Sequence, residues 1–295
     1  MIEEETVRGY RPEHYYPVRV GEVLHKRYRV IGKLGYGSAS TVWLCHDLNR
    51  DKAYVALKVY INRSKIHREL PIYTHINSLT STHPGRQYIR ALLDSFEVSG
   101  PNGEHTCLVH EALGMNMDEL RDLVDENAFE PDFIRQTLRD LLRALHFLRG
   151  EAHIIHTGEH IHPTSSVSQA DHNLALSDIQ PRNILLGTSD DCAFARFERD
   201  ERENPMPRKE TPSRTIYVSR PMPLTFGVPR LSDLSEARFY SPDNTDLVMP
   251  DPYRAPEVIL GMPWSYSIDL WGFAMTVSKL RSKRRRCPPR EQCMG

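Results

Sequence analysis

The chain has 295 residues, 38 Lys and Arg against 39 Asp and Glu, and a formal net charge of −1. That length can bury a full core, and the balanced charge gives no bulk electrostatic case for direct nucleic acid or membrane binding. Met1-Ile2-Glu3-Glu4-Glu5 is not a signal peptide, and no apolar run is long enough to span a bilayer. Five cysteines (Cys45, Cys107, Cys192, Cys287, Cys293) are scattered, odd in number and not at metal spacing. They are expected to be reduced thiols of a cytoplasmic or nuclear protein. His156, His160 and His162 have no cysteine near enough to complete a familiar zinc set.

In chain order, the first informative stretch is Leu34-Gly35-Tyr36-Gly37-Ser38-Ala39-Ser40-Thr41-Val42, between β-prone runs at 28–34 and 41–44. Gly35 and Gly37 let the backbone approach a phosphate with no Cβ in the way. A plain hairpin turn is the competing reading of so short a motif. Val55-Ala56-Leu57-Lys58-Val59 is a strand carrying one lysine. Alone it reads as a snorkelling surface lysine; after a glycine loop it is placed to meet phosphates. Arg68-Glu69-Leu70 offers an acid on the next helix, although Pro71 is tolerated only in a helix's first turn or at a kink.

Residues 105–114 read as an apolar strand ending in a glycine. Ile134, Leu138, Leu141, Leu142, Leu145 and Leu148 recur at helical spacing and predict a buried helix over 133–148 that carries no chemistry. Ile154-Ile155-His156-Thr157 follows, and then Asp178-Ile179-Gln180-Pro181-Arg182-Asn183, running into Ile184-Leu185-Leu186. Asp and Asn in a short loop are common turn residues, so this spacing is a modest signal by itself. The charged, proline-bearing run 194–213 reads as a solvated insertion. Leu231-Ser232-Asp233-Leu234-Ser235 sets an Asp at the end of a short strand. Tyr253-Arg254-Ala255-Pro256-Glu257 and Ser267-Ile268-Asp269-Leu270-Trp271-Gly272 complete the series.

So many segments in this order resemble the protein kinases. Further details are similar to the SR-protein kinases and their fungal relatives. These are the lead-in Tyr10-Arg11-Pro12-Glu13-His14-Tyr15-Tyr16-Pro17-Val18, the G-x-G-x-x-S-T-V-W loop, Arg214-Thr215-Ile216-Tyr217, and Tyr253 to Leu260. The resemblance covers roughly residues 10–276. It implies an α+β, two-lobed fold: a lead-in over 1–27, a β-rich N-lobe over 28–110 and a helical C-lobe over 111–276. It also implies ATP and Mg²⁺ as cofactors and transfer of the γ-phosphate to serine or threonine hydroxyls of protein substrates.

The same resemblance distributes the roles. Leu34, Gly35, Tyr36, Gly37, Ser38, Ala39, Ser40, Val42, Ala56, Glu111, Leu113 and Leu185 would surround ATP, with adenine on the hinge backbone. Lys58, positioned by Glu69, would pair the phosphates. Asp178 would orient the attacking hydroxyl, and Asn183 and Asp233 would hold Mg²⁺. Arginine/serine-rich splicing factors are the substrates the family suggests, although no residue here reads that specificity. A non-catalytic scaffold with the same fold is the rival reading. A small-molecule phosphotransferase is weaker, because A-P-E and D-x-W belong to protein kinases.

Three departures bear on that rivalry. Gln180 stands where most members carry a lysine that steadies the γ-phosphate, and a neutral amide stabilises transition-state charge less. Ser235 replaces a glycine, and Thr157 replaces an arginine that in many kinases grips an activation-loop phosphate; the SR-protein kinases share this threonine. Two segments depart altogether. Residues 158–177 separate His156-Thr157 from Asp178, which the family joins directly. Gly158-Glu159 and Leu176-Ser177 admit splice-site-like codons, so an unspliced intron is expected, with a lineage-specific loop as the alternative. Residues 277–295 form a basic tail where the family continues with further C-lobe helices. They are expected to be read-through sequence rather than a nuclear localisation signal. With both segments in place the chain is expected to turn over little or not at all.

Overall fold

The early strands build one sheet with two different faces. The computed structural model describes residues 1–51, 53–62, 68–124, 129–157 and 179–281. Strands β1 (Val23–Leu24), β2 (Tyr28–Tyr36), β3 (Ser40–Asp47), β4 (Ala53–Tyr60), β5 (Leu92–Gly100) and β6 (Gly103–Glu111) form an antiparallel sheet in the order β1-β2-β3-β4-β6-β5. Successive side chains of a strand point to opposite faces. Val55, Leu57 and Val59 therefore join Trp43, Cys45, Cys107 and Val109 in one core. Ala56, Lys58 and Tyr60 face the other way. The register sets Lys58 between Val42 of β3 and Leu108 of β6, in the middle of the sheet.

Helix α1 (Glu69–Ser78) crosses that second face. Its buried residues Glu69, Ile72, Tyr73 and Ile76 follow the i, i+3, i+4, i+7 stripe of an amphipathic helix. Pro71 falls in the first turn, where its missing N–H costs nothing. The proline that made Glu69 look doubtful is thus compatible with it.

The second lobe begins with α2 (Met117–Leu123), whose Asn116 and Glu119 form a reciprocal capping box. Helix α3 (Pro131–Phe147) matches the predicted buried helix, with Pro131 in its first turn. Leu141, Ala144, Leu145 and Phe147 are buried, whereas Leu142 lies on the outer face. Two short strand pairs follow: β7 (Ile154–Ile155) with β12 (Arg238–Phe239), and β8 (Ile184–Leu186) with β11 (Pro229–Leu231). Helices α5 (Pro256–Ile259) and α6 (Ser267–Arg281) lie below them. The two-lobed α+β arrangement implied by the resemblance is the one observed. No helix among the described residues is long and apolar enough to cross a membrane.

Segment 194–213 corrects the expectation of a solvated insertion. Residues 192–203 form helix α4 (Cys192–Glu203), and Arg208–Glu210 (β9) pairs with Thr215–Tyr217 (β10). Phe194, Phe197 and Glu201 share one buried face of α4, and the two rings pack on Ile31 and Leu44 of the sheet. Gly32 makes the approach possible, since a Cβ there would sit 2.9 Å from the Phe197 ring. Arg220 closes the contact with a 2.6 Å hydrogen bond to Glu201. Tyr217 of β10 meets Trp43 edge-on at 5.6 Å between ring centroids. Charges on the outer face of α4 dominate the local composition and hide a two-phenylalanine stripe. Replacement Phe197→Ala should lower unfolding free energy by about 3 kcal/mol, read from urea unfolding. Arg199→Ala on the exposed face should change it by less than about 0.5 kcal/mol. Equal tolerance of both would mean that α4 is not docked.

Candidate functional site

A cleft of about 650 Å³ lies between the lobes. Leu34, Gly35, Tyr36, Gly37, Ser40 and Val42 line it from the sheet side. Lys58 and Glu69 also line it, as do Leu113, Leu185, Asn183 and Asp233 from the second lobe. Its central interaction is a three-way ion contact. Lys58 Nζ donates to Glu69 Oε2 at 2.7 Å and to Asp233 Oδ1 at 3.1 Å. Tyr60 Oη also donates to the Glu69 carboxylate. Burial works against the Lys58 charge, but Asp233 and Glu69 outweigh it and hold its pKa well above the ordinary lysine value. Burial likewise opposes ionisation of Asp233, yet Lys58 brings its pKa down to about 2. Both groups are therefore charged at neutral pH.

Asn183 and Asp233 come from segments 50 positions apart and are brought together by the β8–β11 pair. Leu231 pairs with Ile184, and the next residue, Ser232, donates from both its backbone N (2.8 Å) and its Oγ (2.9 Å) to the Asn183 carbonyl. The chain then turns at Asp233 with φ +61°, a left-handed conformation that Asp tolerates better than most residues. The result is an ionised carboxylate and a carboxamide on one side of the cleft. Both offer the oxygen donors that a hard divalent cation such as Mg²⁺ selects, so the residues fit the implied metal.

Beneath this, the backbone N–H of His156 donates to the buried Asp269 carboxylate of α6 at 3.0 Å. Burial, only partly offset by that bond, pushes the Asp269 pKa up to about 7. Thr157 Oγ1 donates to the Glu236 carbonyl, tying the end of β7 to the segment after Asp233. Asp178 lies outside the described residues, together with 158–177 and 282–295.

Four of the expected ATP-surrounding residues are not on the cleft wall. Ser38 is exposed at the loop tip, Ala39 packs toward the apolar core, and Ala56 is buried within the sheet. Glu111 is committed elsewhere. Its carboxylate accepts from the Ala91 N–H at 2.9 Å and pairs with Arg230 at 3.4 Å, while its carbonyl accepts from Arg90. Conversely, Tyr73, Arg90, His110, Asn116, Glu119 and Arg182 line the cleft and were not singled out from sequence. Tyr73 could have been found, because it sits one turn beyond Glu69 on the same buried face of α1.

No protein-family model matches the chain. Curated relatives do. The chain is 36% identical over 275 residues to a serine/threonine protein kinase of Aspergillus fumigatus, covering 92% of this chain and 61% of that protein. It is 31% identical over 299 residues to the serine/threonine-protein kinase SRPK of Physarum polycephalum, covering 94% and 66%. It is 31% identical over 231 residues to SRSF protein kinase 3 of Mus musculus, covering 76% and 37%. The chain thus spans less than two thirds of the length of these relatives. A kinase-domain crystal structure superimposes with a TM-score of 0.63 at 24% identity over 94% of this chain and 71% of that one, a likeness of fold. With the relatives and the cleft in agreement, the chain belongs to the serine/threonine protein kinases, in the SR-protein-kinase-like branch.

Proposed function

We propose that this protein transfers the γ-phosphate of ATP to serine or threonine hydroxyls of protein substrates, and that arginine/serine-rich splicing factors are among them. The supporting observation is the Lys58 ammonium held between Glu69 and Asp233 in the cleft lined by the glycine loop. Glu69 fixes the lysine from behind so that its remaining N–H can reach a phosphate oxygen. Asn183 and Asp233 would hold Mg²⁺, which when bound would neutralise phosphate charge and orient the transferring group. Asp178 would take the proton of the attacking hydroxyl. The substrate class rests on the names of the relatives, two of which denote SR- or SRSF-directed kinases.

A second reading, nucleotide binding without efficient transfer, is favoured by Gln180, which is buried and neutral. Phosphate incorporation into an arginine/serine-rich peptide decides between the two. The 295-residue chain and a version lacking residues 158–177 are compared, with an alanine-for-serine peptide as the control. Incorporation by neither, with ATP still bound, would establish the second reading.

In whichever version transfers phosphate, Lys58→Ala should lower the rate at least roughly tenfold, ~1.4 kcal/mol in the barrier. An unchanged rate would remove Lys58 from the chemistry. Asp233→Asn should cost more activity than Asn183→Ala, because it deletes a formal charge facing the metal. Rates titrated against Mg²⁺ would expose the reverse order, which would contradict the division of roles.

A further inference from the structure

Glu4 lies in a short 3₁₀ turn, Glu3–Thr6, yet is wholly buried. Its carboxylate accepts from Lys33 of β2, also wholly buried, and from Arg214 at 2.5 Å. Glu3 and Glu5 strengthen the attachment through Ser219 and Lys209, each at 2.7 Å. Detaching this segment would leave Lys33 and Arg214 buried without their carboxylate, a strongly unfavourable state. Further along, the backbone of Asn62 donates to the His14 carbonyl at 2.9 Å, and its amide donates to the Glu13 carbonyl at 3.1 Å. The segment from Glu3 to His14 is therefore fixed at both ends.

What it carries between and beside those anchors is Tyr15. The Arg214 guanidinium sits over the Tyr15 ring at 5.1 Å, and Tyr10 packs against it with centroids 5.2 Å apart. The Tyr15 hydroxyl reaches the carbonyls of Gly37 and Ser38, both at 3.4 Å. Nearby, Thr6 Oγ1 lies 3.4 Å from Tyr36 Oη. Burial, with Glu4 adding to it, pushes the Tyr15 pKa to about 12, so the phenol keeps the proton it donates. The Tyr15 hydroxyl and Thr6 thus reach the glycine loop itself, whose tip is closed by a bond from the Gly37 N–H to the Ser40 carbonyl at 2.8 Å.

We infer that the segment from Glu3 to Tyr15 is a strap that sets the position of the glycine loop, with Tyr15 as the positioning residue for nucleotide phosphates. The inference rests on the reading of the cleft as a nucleotide site. A loop held at its tip by a hydroxyl loses a neutral hydrogen bond, and no apolar packing, when tyrosine becomes phenylalanine.

The test uses the full chain with two probes, Mg-ATP and adenosine, measured by calorimetry on the wild type and Tyr15→Phe. Mg-ATP should bind roughly threefold to tenfold more weakly to the variant, adenosine should bind within about twofold of wild type, and the unfolding midpoint should not move. Amide exchange across residues 34–40 should quicken at the same time. Equal weakening of both probes would mean a general packing role and overturn the strap, as would no weakening of either. Failure of the wild type to bind either probe would overturn the nucleotide reading itself, and the strap with it.

Discussion

Lys58 can keep its charge inside the protein only if anions come to it, and much of the architecture follows from that. A lone ammonium moved out of water costs many times the net stability of a domain. Here it is met by Glu69 from α1 and Asp233 from the segment after β11. Three elements distant in sequence are thereby brought within about one hydrogen-bond length of a single nitrogen. Such a contact adds little net stability, because desolvation offsets most of the attraction. Its effect is geometric. It fixes how α1 lies on the sheet and where the chain must turn at Asp233, so that two oxygen-bearing side chains share one wall of the cleft.

The parts of this site that were legible in the sequence are those whose chemistry demands a residue type. Phosphate approach needs glycine and phosphate charge needs a lysine, so Gly35 and Lys58 stood out on those grounds; Asn183 and Asp233 stood out only through the family resemblance, with the oxygen donors that a hard cation needs. The α3 stripe was legible because a long amphipathic period leaves little alternative. Residues that serve through backbone or packing left no such mark. Glu111 occupies the expected hinge position, yet Arg90 and Ala91 take its carbonyl and carboxylate, a pairing that depends on the β5–β6 register. The stripe of α4 was concealed by the charges around Phe194 and Phe197. Nothing in Glu3-Glu4-Glu5 marks one member for burial, and only the fold reveals that Glu4 is enclosed by Lys33 and Arg214.

Those two ion clusters stand at opposite ends of the glycine loop's support. Lys58 holds the far wall of the cleft; Lys33, two residues before Gly35, holds the strand that leads into the loop. β2 is irregular in between, with bulges between Val30 and Gly32 and between Lys33 and Gly35. Bulges bend a strand and increase its local twist, and the first of them coincides with Gly32, where α4 presses against the backbone. A strand with two bulges has a weaker ladder to hold it, so its path must be imposed from outside. α4 does so at Gly32 and the Glu4 cluster does so at Lys33. The glycines then supply freedom at the tip alone, where freedom is needed for close approach to an anion, while the strand behind them is held in place.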